Sequence, residues 1–580
     1  MSRENHRNTR RAGCLPLRSS APLTPAGTIG ASSTSVVVSE SIVGSGKRPK
    51  FTPRHLTDMA APTILGLLKV FHPQSEAIVV NTATSEGIGP ADNVGPDPQP
   101  RATSRRRFLI GSALVGGGAV AGGAAGYLIA PSSPAAAQTR STPKPPAKAT
   151  SPFNSSTFNQ EGLFVLGAAG CGTADVGEVL TTFDNINART GNPSTLTQSD
   201  FDAYVDEFTA TSNQLAPLAQ SASTAGMMAT AKCEHLRASN YMTQALFFVL
   251  GTSKPDTEEQ LFDIVNQHWQ DALDAMAPAP IQFSVQGPSY TIPVYLFRPD
   301  DSGTPRPTLI ISDGSDGQNV ETMQFGVVAG LERGYNVALF EGPGQMSLLF
   351  KEKIPFTADW DQIVGPIVEA LAGRPDVQSD RVGLIGISFA GMLCARAAAR
   401  TPGLAAVVLE PAAIQMSKLW DDQTSIKGVT EVQGAPAAIR AKVQKEINAG
   451  FIKAWPHLSS VEQFTIHKRS EIFMTQALED ARAGKPPSDY FGLLEAFLPF
   501  DYTDDYKAIK IPTLLTANEG DPFFGDQPRQ AYALLDNVPP ADKKLIQFTD
   551  AEGAQLHDQP MAPQFAQEVI FGWLDAYLLG

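Results

Sequence analysis

Gly386-Ile387-Ser388-Phe389-Ala390-Gly391 lies between a short apolar run, Val382 to Ile385, and a segment of helix formers, Met392 to Arg400. The run reads as a buried strand and the segment as a helix. A serine on a strand-to-helix turn, with small residues two positions to each side, has the pattern of a nucleophile elbow. The turn is tight, so bulk at Gly386 or Ala390 would collide with the neighbouring backbone. It lifts the hydroxyl of Ser388 clear of the sheet edge, where a base can reach it. Ala390 replaces the commoner glycine at the cost of one methyl group.

The remaining members of a triad follow such a serine in a fixed order, the acid first and then the histidine. The chain has eight histidines. His6, His55 and His72 fall in an N-terminal leader, His235 and His268 precede the expected core, and His457 and His467 fall in a helical insertion. Only His557 follows the last expected strand, Lys544 to Phe548, in the small-residue loop Ala551 to Leu556. The acid is expected after the strand Pro512 to Ala517, in Asn518-Glu519-Gly520-Asp521-Pro522. Asp521 is the choice and Glu519 the rival; Asp526 lies further along the loop. The acid would hold one imidazole tautomer and stabilise the imidazolium as it forms.

Acyl transfer also needs donors for an oxyanion. One is the backbone N–H of Phe389, directly after the serine. The other is expected from Ser312-Asp313-Gly314-Ser315-Asp316-Gly317, after the strand Thr308 to Ile311. Ser315 is favoured there, with Gly314 and Asp316 as neighbours able to take the role. A second glycine-rich loop, Glu341-Gly342-Pro343-Gly344-Gln345, follows the strand Asn336 to Phe340. Glu341 would orient a substrate, buttress the elbow, or simply be a carboxylate satisfied by turn amides.

The order of elements agrees. A hairpin, Gln282 to Val285 and Thr291 to Arg298, precedes strands that alternate with helices at Glu321 to Arg333, Asp359 to Ala372, Gly391 to Arg400, Pro528 to Leu535 and Gln564 to Leu579. Such alternation implies parallel β-α-β units. Roughly a hundred residues between Leu409 and Pro512 lack strand pattern and read as helices at Pro436 to Phe451, Val461 to Arg482 and Tyr490 to Leu498. An insertion there would lie over the carboxyl ends of the strands, where open sheets bind ligands.

Together with Glu552-Gly553-Ala554-Gln555-Leu556-His557 and the helical motif Leu236 to Ala245, these phrases resemble one branch of the α/β-hydrolase superfamily. That branch holds 2,6-dihydropseudooxynicotine hydrolase and the fungal polyketide-shortening hydrolases. The resemblance covers roughly residues 160 to 580. It implies a helical N-terminal domain before a mostly parallel sheet flanked by helices, with a helical cap insertion. It also implies cleavage of an ester, or of a carbon–carbon bond next to a carbonyl. Two positions depart from the branch: Met346 stands where a further glycine is common, and Asp558 where a cysteine is common.

Upstream, Ser104-Arg105-Arg106-Arg107-Phe108-Leu109-Ile110 matches the twin-arginine export pattern. An uncharged run, Phe108 to Ala130, follows, and then Ala135-Ala136-Ala137, a small-residue cleavage site placing a mature start near Gln138. The run is long enough for a membrane anchor, but its seven glycines count against one. The expected organisation is a leader over 1–103, disordered or annotated from too early a start, a signal over 104–137 and a linker over 138–159. Helices over 160–278, a core over 279–411 and 501–580, and a cap over 412–500 follow.

The formal charge is −14; the first 107 residues carry +7, so the remainder carries −21. An acidic body argues against nucleic acid as a partner. Of four cysteines, Cys14 lies in the leader and Cys394 beside the elbow, and Cys171 and Cys233 are read as free thiols before a disulfide. No CxxC, HExxH or phosphate-loop pattern occurs, so neither metal nor cofactor is expected. The reading is an exported serine hydrolase of a small, apolar carbonyl compound, with the export machinery as partner and a homodimer left open. A prolyl-oligopeptidase-like peptidase and a non-catalytic binder on the same fold are the alternatives.

Overall fold

A computed structural model describes residues 151–580. The leader, the export signal, and the linker up to residue 150 lie outside the described residues.

Five helices come first: α1 Ser156–Gly167, α2 Val176–Thr190, α3 Gln198–Thr224, α4 Met228–Phe248 and α5 Glu258–Asp274. The linker ends earlier than expected, because the Ser155 side chain accepts from the Phe158 N–H and caps α1. Phe153 and Phe158 are already core residues. Asp175 caps α2, and Thr197 with Asp200 forms a capping box on α3. Phe158, Phe201, Tyr204 and Phe248 meet edge-on or tilted at centroid distances from 4.6 to 5.8 Å, which gives these helices an aromatic core.

The eight strands are β1 Ile281–Gln286, β2 Thr291–Phe297, β3 Arg306–Ser312, β4 Asn336–Phe340, β5 Val377–Ile387, β6 Leu404–Glu410, β7 Thr513–Asn518 and β8 Lys543–Phe548. They form one sheet in the order β1-β2-β4-β3-β5-β6-β7-β8. The β1/β2 and β2/β4 pairs are antiparallel, and every other pair is parallel. Strands β4 and β7 are buried along their whole length, as apolar strands covered on both faces must be.

Twelve further helices complete the described chain. Around the first half of the sheet lie α6 Val327–Glu332, α7 Met346–Phe350, α8 Asp361–Ala372 and α9 Phe389–Arg400. The segment after β6 holds α10 Gln423–Glu431, α11 Ala437–Ala454, α12 Ser460–Ser470, α13 Thr475–Arg482 and α14 Tyr490–Phe497. Its two ends are tied together, the Met416 N–H to the Phe500 carbonyl and the Tyr502 N–H to the Ile414 carbonyl. Then come α15 Thr503–Ala508, α16 Gln527–Leu534 and α17 Pro563–Leu578. Among the described residues no helix is long and apolar enough to cross a membrane.

Two expected helices are broken. Glu321 to Arg333 is a short 3₁₀ turn and then α6, divided at Gly326, whose φ is 144°. A Cβ there would sit 3.0 Å from Ile311, so close packing on β3 sets the break. Val461 to Arg482 divides into α12 and α13 because the Ile472 carbonyl accepts from the core residue Phe356. The break turns Phe473 inward. Helix α10, capped by Asp422, has no counterpart in the sequence reading.

Candidate active site

Ser388 ends β5 and precedes α9 with φ 52° and ψ −122°, a conformation that side-chain-bearing residues rarely adopt. The small residues around it are required by distance. A Cβ on Gly386 would lie 2.3 Å from the Ala390 carbonyl oxygen, and one on Gly391 2.1 Å from that of Pro411. Ala390 is fully buried, so its single methyl is the most that the turn admits.

Ser388 Oγ lies 2.9 Å from His557 Nε2. His557 Nδ1 lies 2.9 Å from Asp521 Oδ2. The other Asp521 oxygen accepts from the N–H groups of Phe523 at 2.7 Å and Phe524 at 3.1 Å. Burial works to raise the Asp521 carboxyl, but His557 and these donors hold it below the usual carboxylate range. Phe523 and Phe524 also meet the imidazole edge-on, at 4.8 and 5.1 Å. Glu519 is exposed and accepts from the Asp550 N–H instead, and Asp526 is paired with Arg529. A serine bonded to an imidazole whose far nitrogen is held by a buried carboxylate can lose its proton as it attacks a carbonyl.

The loop after β3 approaches the serine closely: a Cβ on Gly314 would lie 2.7 Å from that of Ser388. The Gly314 N–H is taken by its neighbour, Asp313 Oδ1, at 2.7 Å. Phe389 opens α9, where a backbone N–H has no intrahelical acceptor. Ser315 and Phe389 both line the cavity. Gln345 braces this loop by donating to the carbonyls of Asp313 and Gly314 while accepting from the Gly342 N–H. Glu341 does not reach the cavity lining. Its carboxylate is satisfied by Tyr295, Asn319 and Ser347, which makes it a buttress.

One cavity runs beside Ser388 and His557. The N-terminal helices contribute Phe164 and Phe247, and the insertion contributes Trp420, Ile472 and Phe473. Among the aromatics of the insertion, Trp420 and Phe473 line it, while Phe451, Trp455, Phe464, Tyr490, Phe491 and Phe497 pack in the core. Against this apolar wall stand several carboxyls. Burial, with the charge of Asp316, pushes Glu161 up to about 8. Burial, opposed by the Gly314 N–H and aided by Asp558 and Asp316, pushes Asp313 up to about 7.

The X-Pro dipeptidyl-peptidase (S15) family model matches residues 290–547. Hydrolase LUC6 of Fusarium sp is 26% identical over 445 residues, covering 73% of this chain and 97% of that protein. The 20-hydroxy-prefusarin hydrolase FUS2 of Gibberella moniliformis is 27% identical over 264 residues, 42% of this chain and 58% of that protein. The chain likewise spans less than two thirds of hydrolyase poxO of Penicillium oxalicum, at 63% of its length. The solved structure of 2,6-dihydroxy-pseudo-oxynicotine hydrolase superposes with TM-score 0.50 at 17% identity, covering 71% of this chain and 95% of that one. The chain is an α/β hydrolase.

Three groups of this α/β hydrolase's site carried no usable signal in the sequence. Arg469 of α12 donates to Ser315 Oγ at 3.1 Å and pairs with Asp316, and its guanidinium lies 5.5 Å from the Phe523 ring centre. In the sequence it lies within the expected helix Val461 to Arg482, beside another basic residue, Lys468. Glu161 was an ordinary helix acid. Asp558 is, in the sequence, only a departure from the branch, yet its Oδ2 lies 3.4 Å from His557 Nε2. Both departures adopt positive φ, 38° at Met346 and 56° at Asp558, the geometry that favours glycine at the first. Cys171, Cys233 and Cys394 are free. Away from the cavity, His235 and His268 share a hydrogen bond between their Nδ1 atoms at 3.0 Å, with Asp271 alongside.

Proposed function

We propose that this α/β hydrolase is a serine hydrolase acting through Ser388, His557 and Asp521. The continuous relay from Asp521 through His557 to Ser388, with 2.9 Å at each link, is the observation that carries the reading. His557 takes the serine proton as Oγ attacks a carbonyl, then gives it to the leaving group; water releases the acyl-enzyme. The N–H groups of Phe389 and Ser315 serve the oxyanion. The apolar cavity favours a small ester, or a ketone whose carbon–carbon bond breaks to leave a carbanion stabilised by a neighbouring carbonyl. A peptidase is the second reading, favoured by the S15 family match over residues 290–547.

A fluorophosphonate probe tests the chemistry: it should label Ser388, and Ser388→Ala should abolish the labelling. Aryl esters, β-diketones and dipeptide amides offered in parallel separate the readings, and turnover of the amides alone would favour the peptidase. Export is proposed from Arg105-Arg106-Arg107 and the Gly-rich run behind them. Replacing Arg105 and Arg106 together by Lys should leave unprocessed protein inside the cell. Normal secretion of that variant, with an N-terminus near Gln138, would refute the route.

A further inference from the structure

His557 has a carboxylate at each edge. Asp521 holds Nδ1 at 2.9 Å, and Asp558 Oδ2 stands 3.4 Å from Nε2, the nitrogen that also faces Ser388 Oγ. The placement is built into the backbone. Asp558 and Gln559 are consecutive non-glycine residues at φ 56° and 48°, and both are buried. The second Asp558 oxygen, Oδ1, has no hydrogen-bond partner among the described residues. A triad needs only one carboxylate, on Nδ1, so this second one is unaccounted for.

We propose that Asp558 is a positioning residue for the proton of His557: its carboxylate competes with Ser388 for Nε2 and moves the working range of the enzyme to the alkaline side of neutrality. The inference rests on the triad reading above. The proton shared by the pair has two places. On Asp558 it leaves the imidazole neutral, with the Nε2 lone pair free for the serine O–H. On Nε2 it makes an imidazolium held between two carboxylates, which cannot take the serine proton.

The surrounding charges favour the second place. Burial alone would lower His557, but Asp558 first and then Asp521 raise it to about 9. Burial raises Asp558 to about 7, with His557 opposing and Asp521 and Asp316 adding. Between those values the proton sits on the imidazole. The other groups facing the pair are Asp313 in the loop after β3, Glu410 at the end of β6, Arg469 of α12 and Glu161 of α1. Of these, Arg469 works to lower His557. Activity therefore rises as pH climbs through the value for His557, and removing the Asp558 charge brings that rise to lower pH.

The test is the rate of fluorophosphonate labelling of Ser388 from pH 5 to 10, with the labelled residue located by mass spectrometry. The wild-type acid limb should have its midpoint above pH 7. In Asp558→Asn and Asp558→Cys the midpoint should fall by at least about one unit, which is about a tenfold faster reaction at pH 6. A residue needed only for packing would lower the rate without moving the midpoint. A labelled Ser388 whose midpoint stays put in both variants overturns the inference alone. So does a wild-type midpoint near the ordinary imidazole value, a measurement that needs no variant to fold. Absence of label on Ser388 at every pH overturns the triad reading and this inference with it.

Discussion

Asp521 and Glu519 stand two residues apart in one loop, and the difference between them is where the backbone sends each side chain. Asp521 turns inward, takes two backbone N–H groups on one oxygen and presents the other to His557. Glu519 turns outward to the Asp550 N–H. Asp521→Asn should therefore lose about 10⁴-fold in kcat, because an amide favours the wrong imidazole tautomer. Glu519→Gln should cost less than about tenfold in the same steady-state assay; a reversed result would make Glu519 the acid. The sequence narrowed the relay by order along the chain, since only one histidine follows the last strand, but left Asp521 and Glu519 to be separated by geometry. It could not reach Arg469, Glu161 or the contact from Asp558. Their positions depend on how separate helices pack over the sheet and on a left-handed turn after the histidine, and neither leaves a local pattern.

The elements were legible where a single period or a burial run governed them. The strands β3, β4, β6 and β7 are apolar runs bounded by turn residues and stand where those runs predict, whereas β5 begins at Val377, ahead of its run, through the polar Gln378 to Arg381. Two expected helices are divided by a tertiary contact, at Gly326 by packing on β3 and at Ile472 by a hydrogen bond from Phe356, and the short α7, α10 and α15 have no counterpart among the expected helices. Where helices of the N-terminal region meet the insertion, one residue concentrates the contact. Phe464 of α12 is 4% exposed and meets Phe201, Phe247 and Phe248 at 5.1, 5.8 and 5.3 Å. Arg482 of α13 adds an ion pair to the buried Glu258 of α5 at 2.8 Å. Phe464→Ala leaves a ring-sized cavity at this junction and should destabilise the protein by about 3–5 kcal/mol. Denaturant unfolding checks this, and a loss below about 1 kcal/mol would mean that the two regions are held together elsewhere.

For the molecule as a whole, the question is whether the N-terminal helices are an appendage or part of the enzyme. They cover the sheet as well as the cavity: Trp269 of α5 is 1% exposed and packs on Tyr295 and Phe297 of β2, with centroids 6.0 and 6.1 Å apart. They also reach the histidine loop. A Cβ on Gly167, at the end of α1, would lie 2.0 Å from the carbonyl oxygen of Pro560, three residues beyond His557. That contact is backbone against backbone, so losing α1 removes a wall from the turn that places His557 and Asp558. Removing the helices would uncover several large apolar side chains in one patch, at roughly 1.5–3 kcal/mol each for a fully buried one. Patches of that kind drive association. A chain beginning near Ala279 should therefore give little soluble protein, and what remains soluble should label poorly with fluorophosphonate at every pH. Soluble yield and labelling rate are read together, because loss of solubility alone would reflect only the uncovered patch. A truncated chain that stayed soluble and turned over small esters at the full rate would show that the sheet holds His557 and Ser388 in register without the helices.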